Sequence, residues 1–195
     1  MILNDRQIRE LCSGGNPMIH PFVPEKTDYP SYGLSSFGYD VRLGYRILRQ
    51  KWGHGVAPLD PLVKDESLWE WEDTAGTGSE HFVLRPGETV LGETVEVFNI
   101  PPDVIGLCVG KSTYARLGLL LNSSPLEPAW RGKLVLELTN LSRYPLVLHP
   151  GKGIAQILFF RGEYPDVAYN GHYQNQKGIT LPGKVIGEEL YGQGS

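Results

Sequence analysis

Residues 110–116 read Gly-Lys-Ser-Thr-Tyr-Ala-Arg and place two cations and several hydroxyl groups within one short segment. Lys111, Ser112 and Arg116 are residue types that donate hydrogen bonds to phosphate oxygens, and positive charge strengthens such bonds. The segment therefore indicates a polyanion site, although a solvated loop would have the same composition. A P-loop is excluded, because Gly-x4-Gly-Lys-Ser requires glycine at position 105, where this chain has Ile105.

A carboxylate follows on a segment with the period of a β-strand. Residues 133–139 read Lys-Leu-Val-Leu-Glu-Leu-Thr, which puts three leucines on one face of a strand and Glu137 on the other. A carboxylate near a phosphate site is suited to acid–base chemistry on a bound nucleotide. An ordinary exposed glutamate would give the same pattern, so both interpretations stay open at this point.

The composition favours a single globular domain over 1–195. Hydrophobic residues make up 41% and charged residues 21% of the 195 residues. A net charge of −4 and a pI near 5.7 argue against nucleic acid as a partner, so a nucleotide would need a local basic pocket. Two cysteines provide no disulfide framework, and no apolar run is long enough for a membrane span. We expect a cytoplasmic protein that does not bind membranes.

The elements that must position these residues are mostly strands. Asn4 and Gln7 have the spacing of a capping box, which predicts a short N-terminal helix that ends by Gly14 and Gly15. After it, 24 glycines and 15 prolines separate short apolar runs, as is typical of strands joined by turns. We predict strands at 39–48, 81–85, 88–98, 104–109, 133–140, 145–148 and 153–161.

Three other features bear on the organisation of the chain. Two similar corners, at 84–87 and 148–151, end in Pro-Gly and fit a double-sheet β architecture. Residues 51–80 contain tryptophans among acidic residues and glycines, which favours a surface loop held by a few aromatic anchors. The tail at 183–195 has few apolar residues, and we expect it to be mobile unless a partner orders it.

Six segments together resemble the bacterial dCTP deaminases. They occur in that family's order, cover most of the chain from about residue 18 to 182, and are specific as a set although each is weak alone. The segments are 31–42, 110–118, 125–130, 135–140, 153–160 and 173–178, the last continuing into 180–182.

The resemblance implies a mainly β fold, namely a distorted β-barrel or jelly roll of the type shared with the trimeric dUTPases, with a short N-terminal helix. It implies hydrolytic deamination of dCTP to dUTP and ammonia, which supplies dUTP for dUMP and dTTP synthesis. It also implies a homotrimer with active sites between subunits, and dTTP as a candidate inhibitor.

The resemblance also implies the roles of individual residues. Glu137 matches the family's catalytic glutamate, which acts as general acid and base. The positions that match substrate-binding residues are Lys111, Ser112, Thr113, Tyr114, Ala115, Arg116, Val135, Leu136, Gln156, Tyr169 and Gln176. A lysine that often precedes the Tyr-x-x-Gln element in the family is replaced by His172, which puts one phosphate contact in doubt.

Most nucleobase deaminases activate water on zinc, using His-x-Glu and Pro-Cys-x-x-Cys motifs that this chain lacks. Cys12 and Cys108 lie far apart, and the five histidines have no ligand spacing. We therefore expect no protein-bound metal and no zinc. Mg²⁺ is expected only on the substrate triphosphate, where it neutralises charge.

Three alternatives remain beside a dCTP deaminase. A bifunctional deaminase–diphosphatase that forms dUMP usually reads Thr-Ala-Gly and an aromatic residue where this chain has Pro-Leu-Glu-Pro at 125–128. A dUTPase has an Asp-bearing loop, whereas the corresponding positions here look like Glu127 and Trp130, and it has no use for Glu137. A non-catalytic nucleotide-binding module is disfavoured by the presence of Ser112, Arg116 and Glu137 together.

Overall fold

The computed structural model describes residues 1–27, 29–51, 59–75 and 80–182, so the predicted mobile tail lies outside the described residues. The described part is mainly β, as predicted. Its helices are α1 (Asp5–Leu11) and α2 (Ser112–Ala115), with one 3-10 turn at Glu66–Leu68. Its strands are β1 (Ile19–His20), β2 (Gly33–Leu34), β3 (Tyr39–Gln50), β4 (Trp69–Asp73), β5 (Phe82–Leu84), β6 (Thr89–Asn99), β7 (Val104–Gly110), β8 (Leu119–Asn122), β9 (Arg131–Asn140), β10 (Leu146–Leu148) and β11 (Gly153–Arg161).

Helix α1 begins with the capping box that the sequence predicts. The Asn4 side chain accepts a bond from the Gln7 N–H, and the Gln7 side chain accepts one from the Asn4 N–H, both at 3.1 Å. Each bond satisfies a backbone donor that has no partner within the helix. The helix buries Ile8 and ends at Leu11, before the glycine pair that the sequence suggests as its end.

The long strands form one antiparallel sheet in the order β7-β11-β3-β6-β9-β8. Its two edges come together. A Cβ atom placed on Gly110 of β7 would lie 3.6 Å from the Cβ of Leu121 in β8. Gly106 and Leu126 also exchange two backbone hydrogen bonds, of 3.0 and 2.9 Å, across the gap. The sheet is therefore a nearly closed barrel, which confirms the predicted fold class, with aliphatic and aromatic side chains filling its interior.

The two Pro-Gly corners follow strands that pair with each other. Strands β5 and β10 form a small antiparallel sheet in which Leu84 lies opposite Leu146. Gly87 and Gly151 have φ values of +76° and +73°, a backbone conformation that favours glycine. The similarity of the two corners thus corresponds to two equivalent turns in one sheet.

All seven predicted strands are present, within two residues at each end, but the sequence interpretation missed four others. Strands β1 and β2 have only two residues, and β8 reads Leu-Leu-Leu-Asn without alternation.

Part of 51–80 is strand β4 rather than loop, and it pairs with β3 from Arg46↔Asp73 to Gln50↔Trp69. Trp69 packs on a small apolar cluster, while Trp71 lies under the guanidinium of Arg46. Trp69, Glu70, Trp71 and Glu72 alternate with the period of a strand, so the sequence carried a local signal for β4 that the loop interpretation overlooked. No helix in the described ranges is long and apolar enough to cross a membrane.

Candidate active site

Strand β9 positions Glu137 as its alternation predicts. Leu134, Leu136 and Leu138 are buried in the core, whereas Glu137 and its neighbours on the same face are half-buried. Across the strands, Glu137 lies opposite Leu91 of β6 and Asn122 of β8. The carboxylate therefore stands on the outer face of the barrel, between two hydrogen-bonded neighbours that hold its backbone in place.

The carboxylate of Glu137 is only partly satisfied. Its Oε2 atom is buried and has no hydrogen-bond partner among the described residues. Burial raises the pKa of Glu137 above its ordinary value of 4.5, and a bond from its own backbone N–H offsets only part of that rise. A carboxylate with a raised pKa is a stronger base, which suits it to accept and return a proton.

A cavity of about 440 Å³ lies over Glu137, and we call it the Glu137 cavity. Its volume is in the range of small-molecule sites. The walls are mostly apolar, and besides Glu137 the side chains with polar groups include those of Ser124, Glu127, Tyr169, Tyr173, Gln176 and Thr180. A largely apolar wall with a few polar groups can hold a planar heterocycle and orient its edge.

One wall of the cavity comes from the C-terminal segment at 169–182, which docks onto β9. Lys133 N–H donates to the Gln176 carbonyl at 2.9 Å, and Gln176 Nε2 donates to the Lys133 carbonyl at 3.1 Å. Trp130 Nε1 donates to the Tyr173 carbonyl at 2.7 Å. The approach requires Gly132, since a Cβ there would lie 2.6 Å from the Gln176 carbonyl oxygen, and its φ of +145° also favours glycine.

Of the residues that the sequence analysis singled out, the Glu137 cavity contains Glu137, Val135, Tyr169 and Gln176. Leu136 belongs to the same strand, but its side chain points into the core and is fully buried. Contact between Leu136 and a ligand can therefore come only from its backbone. His172 packs edge-on against Tyr173, with ring centroids 4.9 Å apart.

Lys111 and Gln156 lie elsewhere, on the outer face of β3 and β11. Lys111 Nζ donates to Asp40 Oδ2 at 2.5 Å, and Asp40 lies directly across from Gln156 in the sheet. The Gln156 amide donates to Ser35 Oγ at 3.0 Å. Along the six-strand path, β9 and β11 are three strands apart, and the path nearly closes. The Glu137 cavity and this face are therefore on opposite sides of the barrel.

The remaining predicted residues lie in and next to α2. Ser112, Ala115 and Arg116 are exposed. Tyr114 is buried in the core, and its hydroxyl accepts a bond from the His149 N–H at 3.4 Å. Thr113 borders a second cavity that does not include Glu137. The predicted site residues thus form two groups in one chain. One group lines the Glu137 cavity, and the other lies at Lys111, α2 and Gln156.

The sequence analysis missed several walls of the Glu137 cavity. Leu91 faces Glu137 across the strands, and Ser124 and Glu127 lie in a loop whose motif had been noted without roles for its residues. Tyr173 and Thr180 come from the C-terminal motif. The motifs at 125–130 and 173–182 were the available signal for these residues, whereas nothing in the local sequence indicates Leu91.

Among the described residues, the site contains neither a reactive thiol nor a cluster of metal ligands. Burial, and then the negative charge of Glu137, raise the pKa of Cys108 to about 12, so its thiol is neutral near pH 7. Across the described part of the chain, no three His, Cys, Asp or Glu side chains cluster so as to hold a metal ion. The absence of zinc from the chemistry remains a prediction.

Comparisons with known proteins agree with the arrangement of motifs. The profile of a family described as dCTP deaminase-like matches residues 2–162. A dCTP deaminase of Herpetosiphon aurantiacus is 38% identical over 186 residues, covering 91% of this chain and 96% of the relative. A dCTP deaminase of Acidobacterium capsulatum is 39% identical over 189 residues, covering 93% and 98%.

A solved structure supports the fold. The crystal structure of 2′-deoxycytidine 5′-triphosphate deaminase from Agrobacterium tumefaciens matches with a TM-score of 0.62 and 22% identity. The match covers 83% of this chain and 48% of that one, so this chain corresponds to about half of it. On the profile match and the two near full-length relatives, the chain belongs to the dCTP deaminase-like family of enzymes.

Proposed function

We propose that the protein hydrolyses dCTP to dUTP and ammonia, with Glu137 as the general acid and base. The observation that carries the proposal is the buried Oε2 of Glu137, which has no partner among the described residues and lies at the edge of a cavity of nucleoside size. A buried acceptor without a partner is costly to a fold and needs an explanation, and a catalytic role at the edge of a cavity provides one. The names of relatives that match nearly the whole chain support dCTP as the substrate.

In the proposed chemistry Glu137 relays two protons, each of which it first accepts and then donates. The Glu137 carboxylate takes a proton from a water molecule, the resulting hydroxide bonds to C4 of cytosine, and the proton passes to N3. Glu137 then takes the proton of the new C4 hydroxyl and gives it to the amino group. The C4–N bond breaks, ammonia leaves, and a C4 carbonyl remains. A base with a raised pKa suits both directions of transfer.

We further propose that two subunits of a homotrimer form each site. The supporting observation is the division of the predicted residues between opposite sides of one barrel, with Glu137 on one side and Gln156 on the other. Lys111, Ser112 and Arg116 of one subunit would then bind the triphosphate of a nucleotide whose base lies in a neighbour's Glu137 cavity. Arginine and lysine suit that role because they form charge-assisted bonds to phosphate.

A product assay tests the function directly. The full-length protein is incubated with dCTP and Mg²⁺, and the nucleotide product and ammonia are quantified. We expect dUTP and ammonia in equal amounts. Formation of dUMP would identify the bifunctional alternative, and no reaction would leave a dUTPase or a non-catalytic nucleotide-binding module.

Metal removal tests the zinc-free chemistry. A zinc-specific chelator should leave activity intact, whereas removal of Mg²⁺ should raise the KM for dCTP, because the triphosphate then keeps its full charge. Stoichiometric zinc in the purified active protein would contradict the proposed mechanism.

A further inference from the structure

The carboxylate of Asp40 is almost completely buried, yet it pairs with two lysines. Lys111 Nζ lies 2.5 Å and Lys26 Nζ 3.0 Å from the same oxygen, Oδ2. Asp40 is 1% exposed. We call these three residues the Asp40 cluster. One cation is enough to neutralise a buried carboxylate, so the second lysine leaves the cluster with a net positive charge.

The two ammonium groups are held close together. Because both contact one oxygen, their nitrogens are no further apart than the sum of 3.0 and 2.5 Å, about 5.5 Å. Like charges at this distance repel each other, and the carboxylate between them offsets that repulsion. An ammonium has three donors, and each lysine uses one on Asp40. The side chain of Lys26 is 44% exposed, so it can offer its other donors to a ligand.

The position of the cluster links it to the candidate active site. Lys111 opens the segment that the resemblance assigns to phosphate binding, and Asp40 lies across the sheet from Gln156, a second predicted contact. Lys26 is 85 positions before Lys111 and belongs to none of the motifs. Only the fold brings its charge to this face.

We propose that Lys26 is a further phosphate-binding residue, and that Asp40 holds Lys26 and Lys111 side by side as one subsite for the polyphosphate of a nucleotide. Asp40 is a positioning residue, because it acts through the lysines. The inference rests on the proposed function for the identity of the nucleotide. The chemistry it requires is more general: a chain of phosphate groups spans two neighbouring cations better than a single phosphate does.

Inorganic tripolyphosphate tests the subsite without requiring catalysis. Its affinity for the full-length protein is measured by calorimetry for the wild type, Lys26→Met, Lys26→Arg and a control, Lys64→Met. Lys64 is a matched control because it is also a lysine in an ion pair, with Glu66 at 2.8 Å, in a region remote in sequence from the cluster. Lys26→Gln provides a second, polar variant in case Lys26→Met folds poorly.

We expect Lys26→Met and Lys26→Gln to weaken tripolyphosphate binding about tenfold or more, the usual effect of losing a charge-assisted bond. Lys26→Arg should retain most of the affinity, because arginine also binds phosphate, and Lys64→Met should match the wild type. The affinity of Lys26→Met should also depend less steeply on salt. For dCTP, Lys26→Met should raise KM and leave kcat nearly unchanged.

Three outcomes would overturn the inference: unchanged tripolyphosphate affinity in both neutral variants of Lys26, equal losses in Lys26→Met and Lys64→Met, or an unchanged KM for dCTP in Lys26→Met. The proposed function fails separately. A protein that binds tripolyphosphate through Lys26 but does not convert dCTP would refute the deaminase and retain the subsite. A protein that converts dCTP with the same KM in wild type and Lys26→Met would retain the deaminase and refute the subsite.

Discussion

Glu137 and Asp40 are both acidic residues on the outward face of a barrel strand, but they differ in the partners that surround their carboxylates. Asp40 is the more deeply buried, and two lysines pair with it. Glu137 is only half-buried, yet one of its oxygens has no partner in the described structure, and burial raises its pKa. Burial alone therefore does not make a carboxylate reactive. The partners that the fold supplies or withholds distinguish the ion-paired Asp40 from Glu137, which we propose to be the base.

The strongest test of this comparison is Glu137→Gln. The change keeps size and removes the proton acceptor, so we expect turnover of dCTP to fall about 10²- to 10⁴-fold while dCTP binding is retained. Steady-state kinetics and calorimetry measure the two effects. Retention of more than about a tenth of the wild-type rate would contradict the assignment of Glu137 as general base.

Mixed trimers test whether the two sides of the barrel meet across subunits. Glu137→Gln and Arg116→Ala subunits, each inactive alone, are unfolded, mixed in equal amounts and refolded. A site regains both wild-type residues in one of four random pairings, so we expect about a quarter of wild-type activity. Hybrids without activity, made from mutants that each form trimers, would show that this residue pair is not shared. A fully active monomer would have the same consequence.

Asp40→Asn tests whether the ion pairs of Asp40 stabilise the fold. Removing the charge leaves the ammonium of Lys111, a largely buried side chain, without its counter-ion, so we expect a loss of about 1–3 kcal/mol in the free energy of unfolding. Urea denaturation measures it, with Glu66→Gln as the control because that glutamate forms an exposed ion pair. Equal stability of the two variants would mean that burial of Asp40 has little energetic consequence.

The smallest expected effect is a gain in stability for Glu137→Gln near neutral pH. Because the folded-state pKa of Glu137 is raised, the fold binds its proton more tightly than the unfolded chain does. The charged form therefore destabilises the fold as pH rises from about 4.5 through the raised pKa, and it has no effect well below 4.5. Glutamine removes this cost.

Melting temperatures of wild type and Glu137→Gln across this pH range give the test. The difference should favour the variant near neutral pH and vanish in acid. A variant that is less stable than the wild type near pH 7 would mean that the assembled protein supplies Glu137 with a partner that one described chain lacks.

Features that depend on neighbours along the chain could be predicted from the sequence. Alternation along β9 places Glu137 opposite three core leucines, and the Asn4–Gln7 spacing starts α1, because strand and helix periods are local properties. The seven long or regular strands were predictable for the same reason. Motif order was enough to place the chain in its family, although the roles that the resemblance implies for most site residues remain predictions.

The surroundings of those residues depend on contacts between distant parts of the chain. Asp40 meets Lys111 from 71 positions away, and Gln156 meets Ser35 from 121 positions away. The docking of the C-terminal segment completes the Glu137 cavity, and strand order puts Glu137 and Gln156 on opposite sides of the barrel. No local pattern encodes such distant contacts, because they depend on how the whole sheet closes. Whether a carboxylate is paired or lacks a partner among the described residues is therefore a property of the fold, and it distinguishes Glu137, the proposed base, from the ion-paired Asp40.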